Sequence, residues 1–160
     1  MRLVVQRVER AKVLRRAQDN NSWDKVGEIE KGLFVLVGFK KGDTEKDVEV
    51  LAEKLSKLRV MSDPQDKQSL ASQSPGKMNL SVKDVDGKIL VVSQFTLYAE
   101  TSGGNRPSFI DAEDPRKAKI LYDLFVSRLK EKGVEVETGS FGDYMQIETV
   151  LDGPVTILYG

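Results

Sequence analysis

Residues 32–39 read Gly-Leu-Phe-Val-Leu-Val-Gly-Phe. A short, continuous apolar run bounded by glycines marks a strand buried on both faces, because a strand with one wet face alternates apolar with polar residues. Other elements must therefore cover this strand from above and below. A second run, Ile89-Leu90-Val91-Val92, opens the buried strand ILVVSQFTL and makes the same demand.

Two amphipathic helices supply cover. Asp43-Thr44 suits the start of the first, and Val48, Leu51, Ala52, Leu55 and Leu58 recur at helical spacing. The second has Asp114 at the N-cap, Pro115 at the first helical position and Gly133 where a left-handed C-terminal residue belongs. Its apolar stripe is Ala118, Leu121, Leu124, Phe125 and Leu129.

The remaining apolar segments read as strands. They are MRLVVQRV, then AKVLRRA, then WDKVGEIE after the polar Asn20-Asn21-Ser22, then KMNLSV, VEVET and two tail strands around Asp152-Gly153-Pro154. The Asp-Gly of DVDG predicts a hairpin joining KMNLSV to KILVVSQFTLYA. Residues 62–77, rich in Ser, Gln and Pro, read as an exposed loop. Hairpin signals outnumber βαβ spacing. The expected class is α+β, with mostly antiparallel or mixed sheets forming a barrel-like core flanked by two main helices. At 160 residues, without a repeat or an internal boundary, 1–160 reads as a single domain.

Missing residue types narrow the chemistry. The chain has no cysteine and no histidine. Thiolate nucleophiles, imidazole bases, Ser-His-Asp triads and zinc sites built on Cys or His are all excluded. Its 25 basic and 25 acidic residues cancel, so net charge advertises neither nucleic acid nor membrane. Six of the first sixteen residues are nevertheless basic: Arg2, Arg7, Arg10, Lys12, Arg15 and Arg16. They read either as a local phosphate patch or as the solvated face of a hairpin. No apolar run reaches membrane-spanning length, and the start MRLVVQRVER lacks the apolar core of a signal peptide, so a cytoplasmic location is expected.

The segment SQFTLYAETSGGNRPSF, 93–109, has the most chemical promise. A buried strand there delivers Ser93, Gln94 and Thr96 into a Gly-rich turn followed by Arg106-Pro107-Ser108. Such a junction can aim backbone N–H groups at an oxyanion or a phosphate. The plainer alternative is that these polar groups only satisfy a strand end and a turn.

Five blocks occur in order: QRV at 6–8, GKMNL at 76–80, SQFTL at 93–97, GNRPSF at 104–109 and DGPVT at 152–156. Together they closely resemble the D-aminoacyl-tRNA deacylase family over essentially the whole chain. The resemblance implies a metal-independent, cofactor-free homodimer that hydrolyses the ester between a D-amino acid and the 3′-terminal adenosine of tRNA. It implies catalysis around Ser93, Gln94, Phe95 and Thr96, with backbone N–H groups near Phe95 and Thr96 holding the oxyanion and the substrate's 2′-hydroxyl assisting. It implies a cis bond between Gly153 and Pro154, buttressed by Arg7 and Met145. The carbonyls of Gly153 and Pro154 would exclude L side chains in the site of the other subunit, leaving Gly-tRNA cleavable, and Arg106 would contact tRNA.

The chain departs from the family's usual pattern at Leu151, where asparagine is common, and it looks extended at 15–24 and 62–77. A Thr96 acyl-enzyme is the alternative mechanism, and a non-catalytic tRNA- or nucleotide-binding module the alternative function.

Overall fold

The computed structural model describes residues 1–17, 22–65 and 76–160. Its centre is β3 (Gly32–Gly38), flanked by β1 (Arg2–Arg16) and β6 (Lys88–Ser93). The sheet order is β2-β1-β3-β6-β7, with β2 spanning Trp23–Ile29 and β7 spanning Glu135–Thr138; β8 (Met145–Tyr159) also pairs with β1. β3 runs antiparallel to β1 and parallel to β6, and β6 runs parallel to β7, so the sheet is mixed.

Both faces of β3 are covered, as its apolar run predicts. Leu33, Val35 and Val37 enter the core beneath the helices with Phe125, Leu129 and Leu55. Phe34 enters a second core with Val8, Val13, Ile29, Leu90 and Val92. That second core exists because the sheet curls until β2 lies over β7. A Cβ on Gly27 would sit 2.4 Å from the carbonyl oxygen of Thr138, so only glycine permits the approach. The result is the expected barrel-like α+β architecture.

The helices α1 (Glu45–Ser56) and α2 (Pro115–Glu131) begin where the sequence places them. Asp47 accepts from the Thr44 backbone N–H at 2.9 Å, closing a capping box, and Asp114 accepts from the Arg116 N–H at 3.0 Å. Val48, Ala52 and Leu55 face Leu121, Phe125 and Leu129 in one core. The Tyr122 hydroxyl donates to the Val91 carbonyl at 2.9 Å, tying α2 to β6 beneath it.

Three expectations need correction. KMNLSV does not form a hairpin with β6. It contributes β5 (Met78–Ser81), which pairs with β4 (Arg59–Ser62) in a separate two-stranded sheet. The Asp84 carboxylate accepts from both the backbone N–H and the hydroxyl of Ser81 at 2.7 Å, and a 3₁₀ turn over Lys83–Val85 leads the chain away. β6 goes to the sheet interior instead, where both faces of Ile89–Val92 are buried.

The strand containing SQFTL ends at Ser93, because its neighbour β3 ends at Gly38 and offers nothing further to pair with. Phe95–Tyr98 form a 3₁₀ turn. Finally, the two tail strands are one, β8, running antiparallel to β1 with irregular register around Gln6, Val8 and Arg10. Pro154 is tolerated because β8 is an edge strand and the register slips there. The centre of the polar 62–77 loop, 66–75, and residues 18–21 of the 15–24 extension lie outside the described residues.

Candidate active site

The site begins where β6 leaves the sheet. The Gln94 N–H donates to the Val37 carbonyl at 2.7 Å, the last bond before the chain turns. Leu97 N–H then donates to the Gln94 carbonyl at 3.3 Å and Ala99 N–H to the Thr96 carbonyl at 3.0 Å. A 3₁₀ turn leaves its first N–H groups without an acceptor inside the turn; here these belong to Phe95 and Thr96. Arg2 braces the turn from below, donating from Nη1 to the Leu97 carbonyl at 2.7 Å and lying 4.6 Å over the Tyr98 ring.

The side chains divide. Ser93, Gln94 and Phe95 line a cleft of about 980 Å³. Phe95 is more than half exposed and meets Phe109 edge to face, with ring centroids 5.0 Å apart. Thr96 does not line the cleft; its hydroxyl accepts a hydrogen bond from the Gln94 side-chain amide. Phe141, Tyr144, Met145 and Ile147 line the same cleft, as do Pro115 and Ala118 from the start of α2. Glu113 sits beside them, and the Lys117 ammonium, 2.7 Å away, holds its carboxyl below the usual range. The mixture of aromatic walls and a few polar groups suits a ligand with a flat ring and a polar end.

Arg106 is exposed on the Gly-rich turn closed by the Glu100–Ser108 bridge and does not line the cleft. Much of the basic N-terminus is neutralised locally. Lys12 pairs with Glu148 at 2.9 Å and Arg15 with Asp24 at 3.3 Å, while Arg7 is buried. Phe141, Tyr144 and Ile110 were not singled out from the sequence. Their only signal was position, Phe141 and Tyr144 shortly before Met145 and Ile110 just after GNRPSF.

Gly153 and Pro154 form a separate feature. Their peptide bond is cis, and Gly153 has φ +117° with its would-be Cβ 3.1 Å from Arg7 Nη2, so any L side chain there would be strained. Arg7 Nε reaches Asp152 Oδ2 at 2.8 Å, and its Nη1 donates to the Val60 carbonyl at 2.8 Å and to Ser62 Oγ at 3.1 Å. Arg7 thus abuts the motif. Met145 does not, since it lies in the cleft at the other end of β8, paired with Arg15. Gly153 and Pro154 do not line their own chain's cleft. Arg7 is five residues along β1 from Arg2, which pairs with Gly38 beside Gln94; that is about 17 Å of strand.

The match to a family model decides the relationship: D-Tyr-tRNA(Tyr) deacylase, over residues 4–160. The chain belongs to this family. By family it is a hydrolase acting on the ester bond of an aminoacyl-tRNA. It is 51% identical to a D-aminoacyl-tRNA deacylase of Thermotoga petrophila over 99% of this chain and 95% of that one. It is 50% identical to that of Lacticaseibacillus casei, over 99% and 97%. Among solved structures it resembles a c-Myc DNA unwinding element binding protein, with a TM-score of 0.84 and 34% identity over 100% and 98% of the two chains. A probable eukaryotic D-amino acid tRNA deacylase shares the fold, with a TM-score of 0.75 at 16% identity over 99% and 97%. Among the described residues of this deacylase-family chain, no helix is long and apolar enough to cross a membrane.

Proposed function

We propose that the protein removes D-amino acids from tRNA, cleaves Gly-tRNA as well, spares L-aminoacyl-tRNA, and works as a homodimer without a metal. The observation that carries this reading is the separation of the family's two motifs. The cleft at Ser93–Phe95 and the exposed Gly153–Pro154 element face different regions of one chain. A second copy that brings its Gly-Pro element to this cleft completes the site. β8 supports such pairing: it is an edge strand among the described residues, and Val150, Leu151 and Leu158 are exposed along it.

The reaction follows from what the chain has. Water attacks the ester carbonyl carbon, and the resulting oxyanion is held by the N–H groups of Phe95 and Thr96. The neighbouring 2′-hydroxyl of the ribose orients the water and relays its proton to the departing 3′-oxygen, at an effective concentration no free base reaches. The C–O bond breaks to give tRNA and the free D-amino acid. A missing oxyanion donor in comparable enzymes costs about 2.7–4 kcal/mol, so backbone donors are adequate to the task. Thr96 as nucleophile is disfavoured by its hydroxyl's engagement with the Gln94 side chain. The partner's Gly153 and Pro154 backbone excludes a side chain on the L side of the α-carbon and makes no demand on the D side, so glycine passes.

The test is a deacylation assay with D-Tyr-tRNA, L-Tyr-tRNA and Gly-tRNA, each with and without EDTA. Hydrolysis of the first and last alone, unaffected by EDTA, is expected. Equal rates on both tyrosyl esters would sink the chirality reading, and protection of all three esters would mark a binding module.

A further inference from the structure

A second, smaller groove of about 420 Å³ opens beside the 3₁₀ turn, lined by Arg2, Lys40, Lys41, Tyr98 and Asp111 among others. Lys41 lines both this groove and the main cleft, so the two adjoin at that residue. The three cations come from two distant parts of the chain. Arg2 opens β1, and the backbone at Lys40 and Lys41 is held against Asp111 and Ala112, just before α2, by an isolated bridge and a 3.0 Å bond from the Lys41 N–H.

Among the described residues Arg2 meets no carboxylate: it donates to the Leu97 carbonyl and lies over Tyr98, which leaves its positive charge uncompensated, and the two lysines are freer still. Lys40 and Lys41 have no ion pair among the described residues, as is also true of Lys31, Lys46, Lys54 and Lys130; what sets them apart is that they share one groove with Arg2. The nearest buried acid, Asp43, is already committed. It takes the Met1 ammonium at 2.6 Å and the Lys40 backbone N–H at 2.7 Å. Asp111 is the acidic side chain lining the groove, and the last residue, Gly160, lines it beside Arg2, against three cationic side chains.

We propose that Arg2, Lys40 and Lys41 form a phosphodiester subsite for the single-stranded 3′ end of the tRNA. It holds the phosphate next to the nucleoside whose ester occupies the main cleft. The inference rests on the deacylase reading, and it locates the phosphate contacts in this assembled groove. Of the N-terminal run only Arg2 belongs to this groove; Lys12 and Arg15 face their own acids and Arg7 is buried.

Lys40→Gln and the double change Lys40→Gln/Lys41→Gln decide it, since both lysines are exposed and bonded into the fold only through backbone. Binding of uncharged tRNA to each protein is measured across salt concentrations. Each lost phosphate contact should flatten the slope of log K against log salt by about 0.7. Affinity at low salt should fall roughly two- to fivefold per lysine. In turnover, Lys40→Gln should raise KM for D-Tyr-tRNA while 3′-O-D-tyrosyl-adenosine, which has no phosphate, is cleaved within about twofold of the wild-type rate. An unchanged salt slope in the double variant, or equal losses on both substrates, overturns the subsite. Failure of the wild type to cleave either ester defeats the deacylase reading instead, and the binding arm still judges the subsite.

Discussion

Arg7 closes on Asp152 with its Nε 2.8 Å from the carboxylate Oδ2 and 3.3 Å from the main-chain carbonyl, while Arg7 itself is 3% exposed. One buried guanidinium thereby holds the residue before Gly153-Pro154 by both its side chain and its backbone. The same group reaches Val60 and Ser62, so it joins β8 to β4 through β1.

Asp152→Asn should therefore cost about 3 kcal/mol, the low end for a broken buried pair because Asp152 keeps some water contact. Urea midpoints at neutral pH check this. Arg7→Lys should recover little, because an ammonium cannot serve three directions with a planar fork. Wild-type stability in either variant would show that the pair contributes nothing.

Thr96→Ala should keep kcat within about tenfold of wild type, far from the roughly 10⁶-fold loss expected when a true nucleophile is removed. Substrate ending in 2′-deoxyadenosine should be cleaved roughly a hundredfold more slowly or worse. Trapping an acyl group on Thr96 by mass spectrometry would reverse the assignment.

Leu158 is 72% exposed on edge strand β8. Leu158→Glu places a charge on that face and should convert dimer to monomer in sedimentation, with activity lost in parallel. A monomeric variant of undiminished activity would refute the shared site.

Stability should fall at both pH extremes for identifiable reasons. Hydrogen bonds from Lys132, then Lys57, bring Glu53 down from 4.5 to about 2. A depressed carboxylate stabilises above its unfolded value, and that contribution is lost as pH falls from 4.5 towards 2. Glu53→Gln should therefore flatten the acid limb of the stability profile. Burial, with Asp43 adding, pushes the Tyr98 phenol from 10.0 up to about 12. Its contribution is complete below 10.0 and is lost as pH rises through about 12, so Tyr98→Phe should flatten the alkaline limb. Chemical denaturation across pH measures both.

The sequence by itself determined a good deal. The apolar runs at 33–37 and 89–92 demanded two-sided burial, and the caps at Thr44 and Asp114 set where the helices begin, because burial and capping are decided by neighbours in the chain. The absence of histidine and cysteine bounded the chemistry before any fold was considered. Ordered motifs marked Ser93–Thr96 and Gly153-Pro154. Pairing partners were another matter. An Asp-Gly turn predicts a hairpin only if both strands are free to meet, and β6 was drawn into the sheet interior by the burial its own side chains require. Charge was decided in three dimensions too. Local counting left the N-terminal run open between a phosphate patch and a solvated face, whereas folding buried Arg7, paired Lys12 and Arg15 with acids, and set Arg2 beside Lys40 and Lys41. Coulomb interactions depend on distance through space, and only the tertiary structure sets those distances.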